Sequence, residues 1–209
     1  MAPPIHVRHL GRSDYATTWR AMQAYTAARG PDTADELWLT EHPPVYTLGQ
    51  AGRREHLLRD IGVPVLAVDR GGQVTYHGPG QAVVYVLLDL RRRAYGVKGL
   101  VQRLEQAVID LLAAQGVAAE RLAGAPGVYV RRGDGAPAKL AALGLKVRNG
   151  CTYHGLALNV DLDLTPFNAI NPCGHAGMPV TRLKDLGLAT TVEQAAAGLA
   201  ERLLDLLSA

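Results

Sequence analysis

Residues 70–81 read Arg-Gly-Gly-Gln-Val-Thr-Tyr-His-Gly-Pro-Gly-Gln, and apolar runs flank them at 63–68 and 82–88. Both runs are rich in β-branched or large apolar residues, so the pattern predicts a loop between two strands buried on both faces. The loop's glycines let backbone N–H groups approach a ligand, and polar side chains stand beside them. The alternative is a glycine-rich hairpin with a solvated rim. The two glycine spacings typical of phosphate-binding loops do not occur in it.

The totals point to one domain over residues 1–209, since 209 residues with 48% hydrophobic composition suffice for one sizeable core. The formal charge of +3 is only mildly basic and does not demand nucleic acid. The longest uncharged apolar run, 82–88, is far below the ~20 residues of a membrane span, and the first residues lack a signal-peptide core. We therefore expect a cytoplasmic protein without a membrane or nucleic-acid partner.

Periodicity predicts strands and helices that alternate early, followed by hairpins late in the chain. Asn149-Gly150 is the strongest short hairpin signal and predicts antiparallel strands on either side of it. Thr190 and Glu193 have the spacing of a capping box ahead of the last helix. The fold class is therefore α+β or mixed α/β, with helices packed on a mixed sheet. The predicted strands are 5–10, 36–41, 45–48, 63–68, 82–88, 128–130, 138–148 and 151–162, and the predicted helices begin after Ser13 or Asp14 and span 99–115 and 195–207.

Cysteine is the better candidate for a nucleophile, because the chain has only two serines, Ser13 and Ser208, one in a helix cap and one next to the C-terminus. Cys173 lies between Pro172 and Gly174 in an aperiodic stretch, 165–184, where a side chain is reachable. Cys151 opens a strand and fits a packed small residue. Without an export signal both thiols are expected to stay reduced, and Cys173-x-His175 is not a usual zinc spacing, so neither a disulfide nor a metal is predicted.

Lysine usage singles out Lys139. The chain has 18 arginines and four lysines, and only lysine has an amine that can give up its proton. Small residues surround Lys139 on its own strand and on the facing strand, at Ala142, Gly144, Gly155 and Ala157, and leave room for a slender apolar substrate. The alternative is a surface lysine with a solvated head group, which is how we interpret Lys146 and Lys184.

Five segments together resemble the octanoyltransferases of the lipoate pathway, also called lipoate-protein ligase B. The likeness runs from about Tyr15 to Leu186 in the order of that family. The segments are 41–49 (EHPPVYTLG), 70–81 (RGGQVTYHGPGQ), 138–148 (AKLAALGLKVR), 154–160 (HGLALNV) and 170–174 (INPCG).

The resemblance implies a biotin/lipoate-ligase-type catalytic fold and transfer of an octanoyl group from acyl carrier protein to a lysine of a lipoyl domain. Those domains belong to 2-oxoacid dehydrogenase complexes and to the glycine cleavage H protein. The resemblance makes Cys173 the acyl-thioester nucleophile and Lys139 the residue that lowers its pKa and moves protons. No cofactor is implied. The implied acyl contacts are Arg70, Gly71, Gly72, Gln73, Val74, Thr75, Tyr76, His77, Ala142, Leu143, Gly144, Gly155, Leu156 and Ala157.

A two-step cysteine mechanism fits the missing phosphate loop, since thioester exchange followed by aminolysis needs no nucleotide. Backbone N–H groups of the glycine segments would stabilise the oxyanion. Arg53, Arg54 and Arg91 to Arg93 would suit acidic carrier and lipoyl domains. Two alternatives stay open: an ATP-dependent lipoate or biotin-type ligase that forms an acyl-adenylate, and a non-catalytic binding module.

Overall fold

Ten strands and four α-helices occur in the parts of the chain that the computed structural model describes, residues 4–93, 95–172 and 177–208. The strands are β1 (Ile5–Arg12), β2 (Asp35–Glu41), β3 (Val45–Leu48), β4 (Val65–Ala67), β5 (Val74–His77), β6 (Gln81–Leu87), β7 (Glu120–Leu122), β8 (Ala125–Arg131), β9 (Pro137–Arg148) and β10 (Cys151–Asn159). The helices are α1 (Tyr15–Ala27), α2 (Leu90–Arg93), α3 (Val97–Ala113) and α4 (Val192–Ser208). The mixed α/β class is confirmed.

Seven strands form the larger sheet, in the order β1-β2-β6-β10-β9-β8-β7. Strands β1 and β2 are parallel, as expected of strands joined by a helical crossover, and every other neighbouring pair is antiparallel. Helix α1 makes that crossover and is capped by Asp14, whose carboxylate accepts from the amide of Thr17 at 2.8 Å.

Strand β6 is the centre of the core, because its residues are buried on both faces as predicted. Ala82, Val84 and Val86 face the cluster that α3 and α4 complete with their leucines. Val83 and Tyr85 face the opposite cluster, which includes Met22 of α1. The sheet is therefore covered by helices on each side at this strand.

The Asn149-Gly150 hairpin is confirmed. The two residues have φ values of +51° and +76°, the left-handed pair that a two-residue type I′ turn requires. The register of β9 and β10 runs from Arg148 opposite Cys151 to Ala141 opposite Leu158. Ala142 therefore lies directly beside Ala157, and Gly144 beside Gly155.

The prediction for the glycine segment was wrong in two respects. Residues 70–81 are not simply a loop, because they contain β5, which pairs with β3 in a second, three-stranded sheet. The run 63–68 is not a strand covered on both faces. Only Val65–Ala67 is extended, at the edge of that second sheet, and Val65 is 40% exposed. Composition alone did not separate an apolar edge strand from a central one.

The last helix is capped one residue later than predicted. The amide of Gln194 donates to the Thr191 hydroxyl at 3.2 Å, and the amide of Thr191 donates to the Gln194 side chain at 3.0 Å. Glutamine serves in a capping box as glutamate does, so the box is Thr191-x-x-Gln194 rather than Thr190-x-x-Glu193. No helix among the described residues has the length and apolarity that crossing a membrane requires.

Candidate functional site

The glycine segment lies across strand β9. The amide of Gly71 donates to the carbonyl of Leu145 at 2.9 Å. A side chain at Gly144 would prevent this contact, since a Cβ there would lie 2.9 Å from the Gly71 carbonyl oxygen and 3.1 Å from Cδ of Arg70. The bare backbone of Gly144 thus allows the segment from the second sheet to reach the first.

Arg70 organises this segment from within. Its side chain is buried, and Nη2 donates to the carbonyls of Thr47 at 2.7 Å and Gln73 at 2.8 Å. Nη1 donates to the carbonyl of Gly71 at 2.9 Å. Because the guanidinium has only donors and these bonds use several of them, its head group shapes the loop, while its stem faces Gly144.

A narrow cavity of about 50 Å³ opens between the glycine segment and the β9–β10 hairpin. Twelve of the predicted acyl contacts line it: Arg70, Gly72, Gln73, Val74, Thr75, His77, Ala142, Leu143, Gly144, Gly155, Leu156 and Ala157. Four further lining residues were not predicted: Tyr15, Val83, Tyr85 and His154. Tyr15 and Tyr85 were missed because aromatic residues at helix or strand spacing indicate a core in sequence.

Two predicted contacts do not line this cavity. Tyr76 is buried on the other face of β5, where its ring centroid lies 5.5 Å from that of Tyr46 and 5.7 Å from that of Phe167. The alternation of side chains along a strand explains this placement, since His77 faces the cavity. Gly71 lines a neighbouring cavity instead.

Burial keeps two histidines and two tyrosines at or directly behind the cavity wall in their uncharged forms. Burial lowers the pKa of His42 to about 4 and that of His77 well below its ordinary value. Burial also raises the pKa of Tyr15 to about 12 and that of Tyr85 well above its usual range. His42 Nδ1 lies 2.7 Å from the carbonyl of Ser13, so it carries the proton, and Nε2 accepts from the Tyr85 hydroxyl at 2.7 Å. Uncharged side chains of this kind can line a binding site for an apolar ligand.

His154 is held in a strained backbone conformation, with a φ of +62° inside strand β10. Its Nε2 lies 2.8 Å from the carboxylate of Asp69, and its buried Nδ1 has no hydrogen-bond partner in the described structure. Asp69 also accepts from Trp19 and Tyr153. Burial would raise the pKa of Asp69, but the hydrogen bonds from His154 and its neighbours lower it. Nothing in the sequence signals this strain.

Lys139 is buried beside a second cavity of about 290 Å³, which shares Gly72, Gln73, Leu143 and Gly144 with the first. Its Nζ donates to the carbonyl of Pro126 at 3.2 Å and lies 5.2 Å from the ring centroid of Tyr129. The register between β8 and β9 shifts at this point, so Leu140 is an extra residue next to Lys139. A bulge of this kind re-aims the side chain beside it. The surface-lysine alternative is wrong for Lys139.

The segment after the predicted nucleophile is joined to Lys139, although Cys173 itself lies outside the described residues. The amide of Lys139 donates to the carbonyl of Pro179 at 2.8 Å, and the amide of Thr181 donates to the carbonyl of Lys139 at 3.0 Å. Val180 therefore pairs with Lys139 in a parallel bridge. The other cysteine, Cys151, is a buried free thiol. Within the described ranges no group of three His, Cys, Asp or Glu side chains is placed to hold a metal.

Arg93 of the arginine cluster at 91–93 is engaged within the protein, whereas the Arg91 side chain is 70% exposed. Arg93 is buried in an ion pair with Asp35 at 2.8 Å, and Arg91 pairs with Asp89 at 3.0 Å. These pairs fix α2 to the end of the large sheet. Arg93 is thus a structural residue rather than part of a docking surface.

Comparison with known proteins gives a consistent result. The family model described as the lipoyl protein ligase A/B catalytic domain matches residues 14–204. The chain is 66% identical to an octanoyltransferase of Thiobacillus denitrificans over 201 residues, which is 96% of this chain and 90% of that protein. It is 63% identical to an octanoyltransferase of an Azoarcus species, over 98% of this chain and 88% of that protein.

Solved structures share the fold at low sequence identity. A bi-partite lipoate protein ligase from Thermoplasma acidophilum superposes with a TM-score of 0.77 at 15% identity, over 98% of this chain and 84% of that chain. A lipoate-protein ligase A bound with ATP gives 0.71 at 16% identity, over 100% and 86%. The biotin protein ligase of Aquifex aeolicus, in complex with biotin and ATP, gives 0.58 at 11%, over 98% and 70%.

Proposed function

Because this chain belongs to the family of lipoyl protein ligase A/B catalytic domains, we propose that it is an octanoyltransferase acting in protein lipoylation. The observation that carries the proposal is the narrow cavity floored by the small residues Ala142, Gly144 and Ala157, which adjoins the cavity of buried Lys139. A slender apolar chain suits a slot of small side chains, and an amine next to it suits acyl transfer.

The proposed donor is octanoyl-acyl carrier protein, and the acceptor is a lysine of a lipoyl domain. Acceptor proteins are the lipoyl domains of 2-oxoacid dehydrogenase complexes and the glycine cleavage H protein, in the cytoplasm. One catalytic domain, spanning the chain, performs both half-reactions without a cofactor. The formal net charge of +3 on the chain is compatible with acidic partners.

In the first proposed step the thiolate of Cys173 attacks the carbonyl carbon of the octanoyl thioester. A new carbon–sulfur bond forms, the carbon–sulfur bond to the carrier breaks, and the carrier's leaving thiolate takes a proton from the ammonium of Lys139, which becomes neutral. The ammonium of Lys139 would stabilise the Cys173 thiolate electrostatically. Residues 179–181, which hydrogen-bond to both the amide and the carbonyl of Lys139, form a clamp on this residue. The clamp supports the pairing of Cys173 with Lys139, because Cys173 is only six residues before Pro179.

In the second proposed step the amine of the lipoyl-domain lysine attacks the acyl-enzyme. A carbon–nitrogen bond forms, the bond to Cys173 breaks, and Lys139 in its neutral form takes the proton that the amine gives up. An amide replaces a thioester, so the step runs downhill without nucleotide. Backbone N–H groups of the glycine segment would hold the developing oxyanion.

Intact mass after mixing the protein with octanoyl carrier protein, without nucleotide, tests the proposal. One octanoyl adduct is expected on the wild type and on Cys151→Ser, and none on Cys173→Ser. Cys151→Ser is the matched control, since it removes the other thiol. Absence of an adduct from the wild type, or its persistence on Cys173→Ser, would contradict the mechanism.

An ATP-dependent ligase is the second candidate, favoured by the shared fold with the ligase structures. Those structures are at most 16% identical to this chain, whereas relatives named octanoyltransferase reach 66%. A transfer reaction that proceeds only when ATP is added, and that tolerates Cys173→Ser, would establish this alternative.

A further inference from the structure

A buried line of side chains runs from the acyl cavity to the backbone that holds Lys139. His77, which lines the cavity, bonds through Nδ1 to Oε1 of Gln81 at 2.7 Å. Gln81 Nε2 donates to Oδ1 of Asn159 at 3.0 Å, and Asn159 Nδ2 donates to the carbonyl of Thr181 at 3.0 Å. All four residues are at most 9% exposed.

Two backbone carbonyls fix the direction of every bond in this line. A carbonyl only accepts, so the Asn159 amide must present its NH₂ group to Thr181 and its oxygen to Gln81. The Gln81 NH₂ group also donates to the carbonyl of Tyr76 at 3.3 Å, which leaves the Gln81 oxygen to accept from His77. His77 therefore carries its proton on Nδ1, and each residue donates toward Thr181.

The end of the line reaches Lys139 through a single residue. The carbonyl of Thr181 is held by Asn159, and the amide of Thr181 donates to the carbonyl of Lys139 at 3.0 Å. The amide of Lys139 donates in turn to Pro179 two residues earlier. Asn159, the last residue of β10, thus holds the clamp of residues 179–181, which bonds to both the amide and the carbonyl of Lys139.

We propose that Asn159 is a positioning residue for Lys139: by donating to the Thr181 carbonyl it holds residues 179–181 against Lys139 and sets the place of the amine relative to the acyl cavity. The proposal rests on the proposed function, in which Lys139 moves protons. Asn159 does not contact the acyl chain in this role, so its loss should affect the rate of transfer rather than the binding of the donor.

Asn159→Asp is the sharpest variant, because it conserves size and replaces the only donor with an acceptor. In this variant a carboxylate oxygen faces the Thr181 carbonyl, so two buried acceptors oppose each other. The Gln81 NH₂ group can still donate to the other carboxylate oxygen. The matched control is Asn168→Asp, the same change at an exposed position. Asn159→Ser, which is smaller and uncharged but too short to reach Thr181 in the same way, provides the measurement if Asn159→Asp does not fold.

Two measurements decide the proposal. Hydrogen exchange of the Lys139 and Thr181 amides should accelerate about tenfold in the Asn159 variants and stay unchanged in Asn168→Asp, since loss of one buried bond loosens the clamp. The kcat of octanoyl transfer should fall about tenfold, with the KM for octanoyl carrier protein within about twofold of wild type.

Unchanged exchange at Lys139 and Thr181 would overturn the proposal, as would faster exchange with an unchanged kcat, or a raised KM with an unchanged kcat. A wild-type protein that transfers no octanoyl group would instead contradict the proposed function. The exchange measurement does not depend on activity, so it tests the clamp in either case.

Discussion

The Nε2 atom of His154 lies 2.8 Å from the carboxylate of Asp69, and the backbone of His154 adopts a φ of +62° to reach it. Asp69 directly precedes Arg70, the first residue of the glycine segment, whereas His154 directly precedes Gly155 of the cavity wall. The pair thus links the glycine segment to strand β10 beside the cavity, and it involves a residue whose backbone conformation is sparsely populated.

Asp69→Asn should lower the free energy of unfolding by about 1–3 kcal/mol, because an amide has one acceptor oxygen where the carboxylate accepts from Trp19, Tyr153 and His154. Denaturant unfolding measures the change. Asp32→Asn, at an exposed position, is the control and should remain within about 0.5 kcal/mol of wild type. Equal effects of the two variants would argue against a role for the Asp69 network.

Stability should fall as the pH drops from about 6.5 toward 4. The pKa of His42, His77 and His154 is lowered by burial in the folded protein, so the unfolded chain binds more protons in this window. The stability they contribute is fully present above the unfolded pKa of about 6.5. It is lost as pH falls toward the folded pKa, by up to about 1.4 kcal/mol per pH unit for each histidine.

Urea unfolding at several pH values checks this slope, and His42→Gln isolates one contribution. For this variant the pH dependence of the unfolding free energy should correspond to up to one proton fewer than for the wild type over this window. A wild-type stability that is flat between pH 6.5 and 4.5 would be inconsistent with neutral buried histidines.

Gly144→Ala should push the glycine segment away from β9. Its new Cβ would lie 2.9 Å from the carbonyl oxygen of Gly71, a backbone atom that cannot move without displacing the segment. We expect a loss of about 1–3 kcal/mol in stability and a larger loss of octanoyl transfer. Gly133→Ala is the control, since nothing lies within 4 Å of a Cβ there. Thermal unfolding and steady-state transfer together test this, and wild-type values for Gly144→Ala would show that the contact is loose.

Ala157→Leu should shorten the acyl chain that the protein accepts. Ala157 faces the cavity directly beside Ala142, so added methyl groups occupy space in the slot. Transfer from an octanoyl donor should fall more than transfer from a hexanoyl donor, at about 0.8 kcal/mol per excluded methylene. The ratio of the two rates is the measurement, with Ala21→Leu on the exposed side of α1 as control. An unchanged ratio would mean that the chain lies elsewhere.

Local signals in the sequence predicted those parts of the fold that local physics determines. Asn149 and Gly150 fix their turn through their own backbone preferences, and the apolar run of β6 requires cover on both faces. The pairing of β5 with β3 depends instead on contacts between distant residues, which no short window contains. The capping box was displaced by one residue for a different reason, because the adjacent Thr190 and Thr191 carry the same local signal.

The candidate site shows the same division. Small residues on β9 and β10 marked one wall of the cavity, because their spacing is visible in sequence. Tyr85 and His154 were missed, because the first looks like core and the second is defined by a backbone angle and by a partner 85 residues away. Lysine usage singled out Lys139 and the family resemblance gave it a role, but the bulge at Leu140 that aims it appears only in the paired strands.

The parallel bridge between Lys139 and Val180 has a consequence for the order in which the protein matures. The pairing of β10 with β9 ends at Ala141, and residues 179–181 take over that edge of β9 at Lys139. During synthesis Lys139 leaves the ribosome some 40 residues before Val180, so a nascent chain with a complete β9–β10 hairpin still has an open edge beside its buried amine. The surroundings of Lys139 are thus completed only after residues 179–181 have emerged and paired with β9.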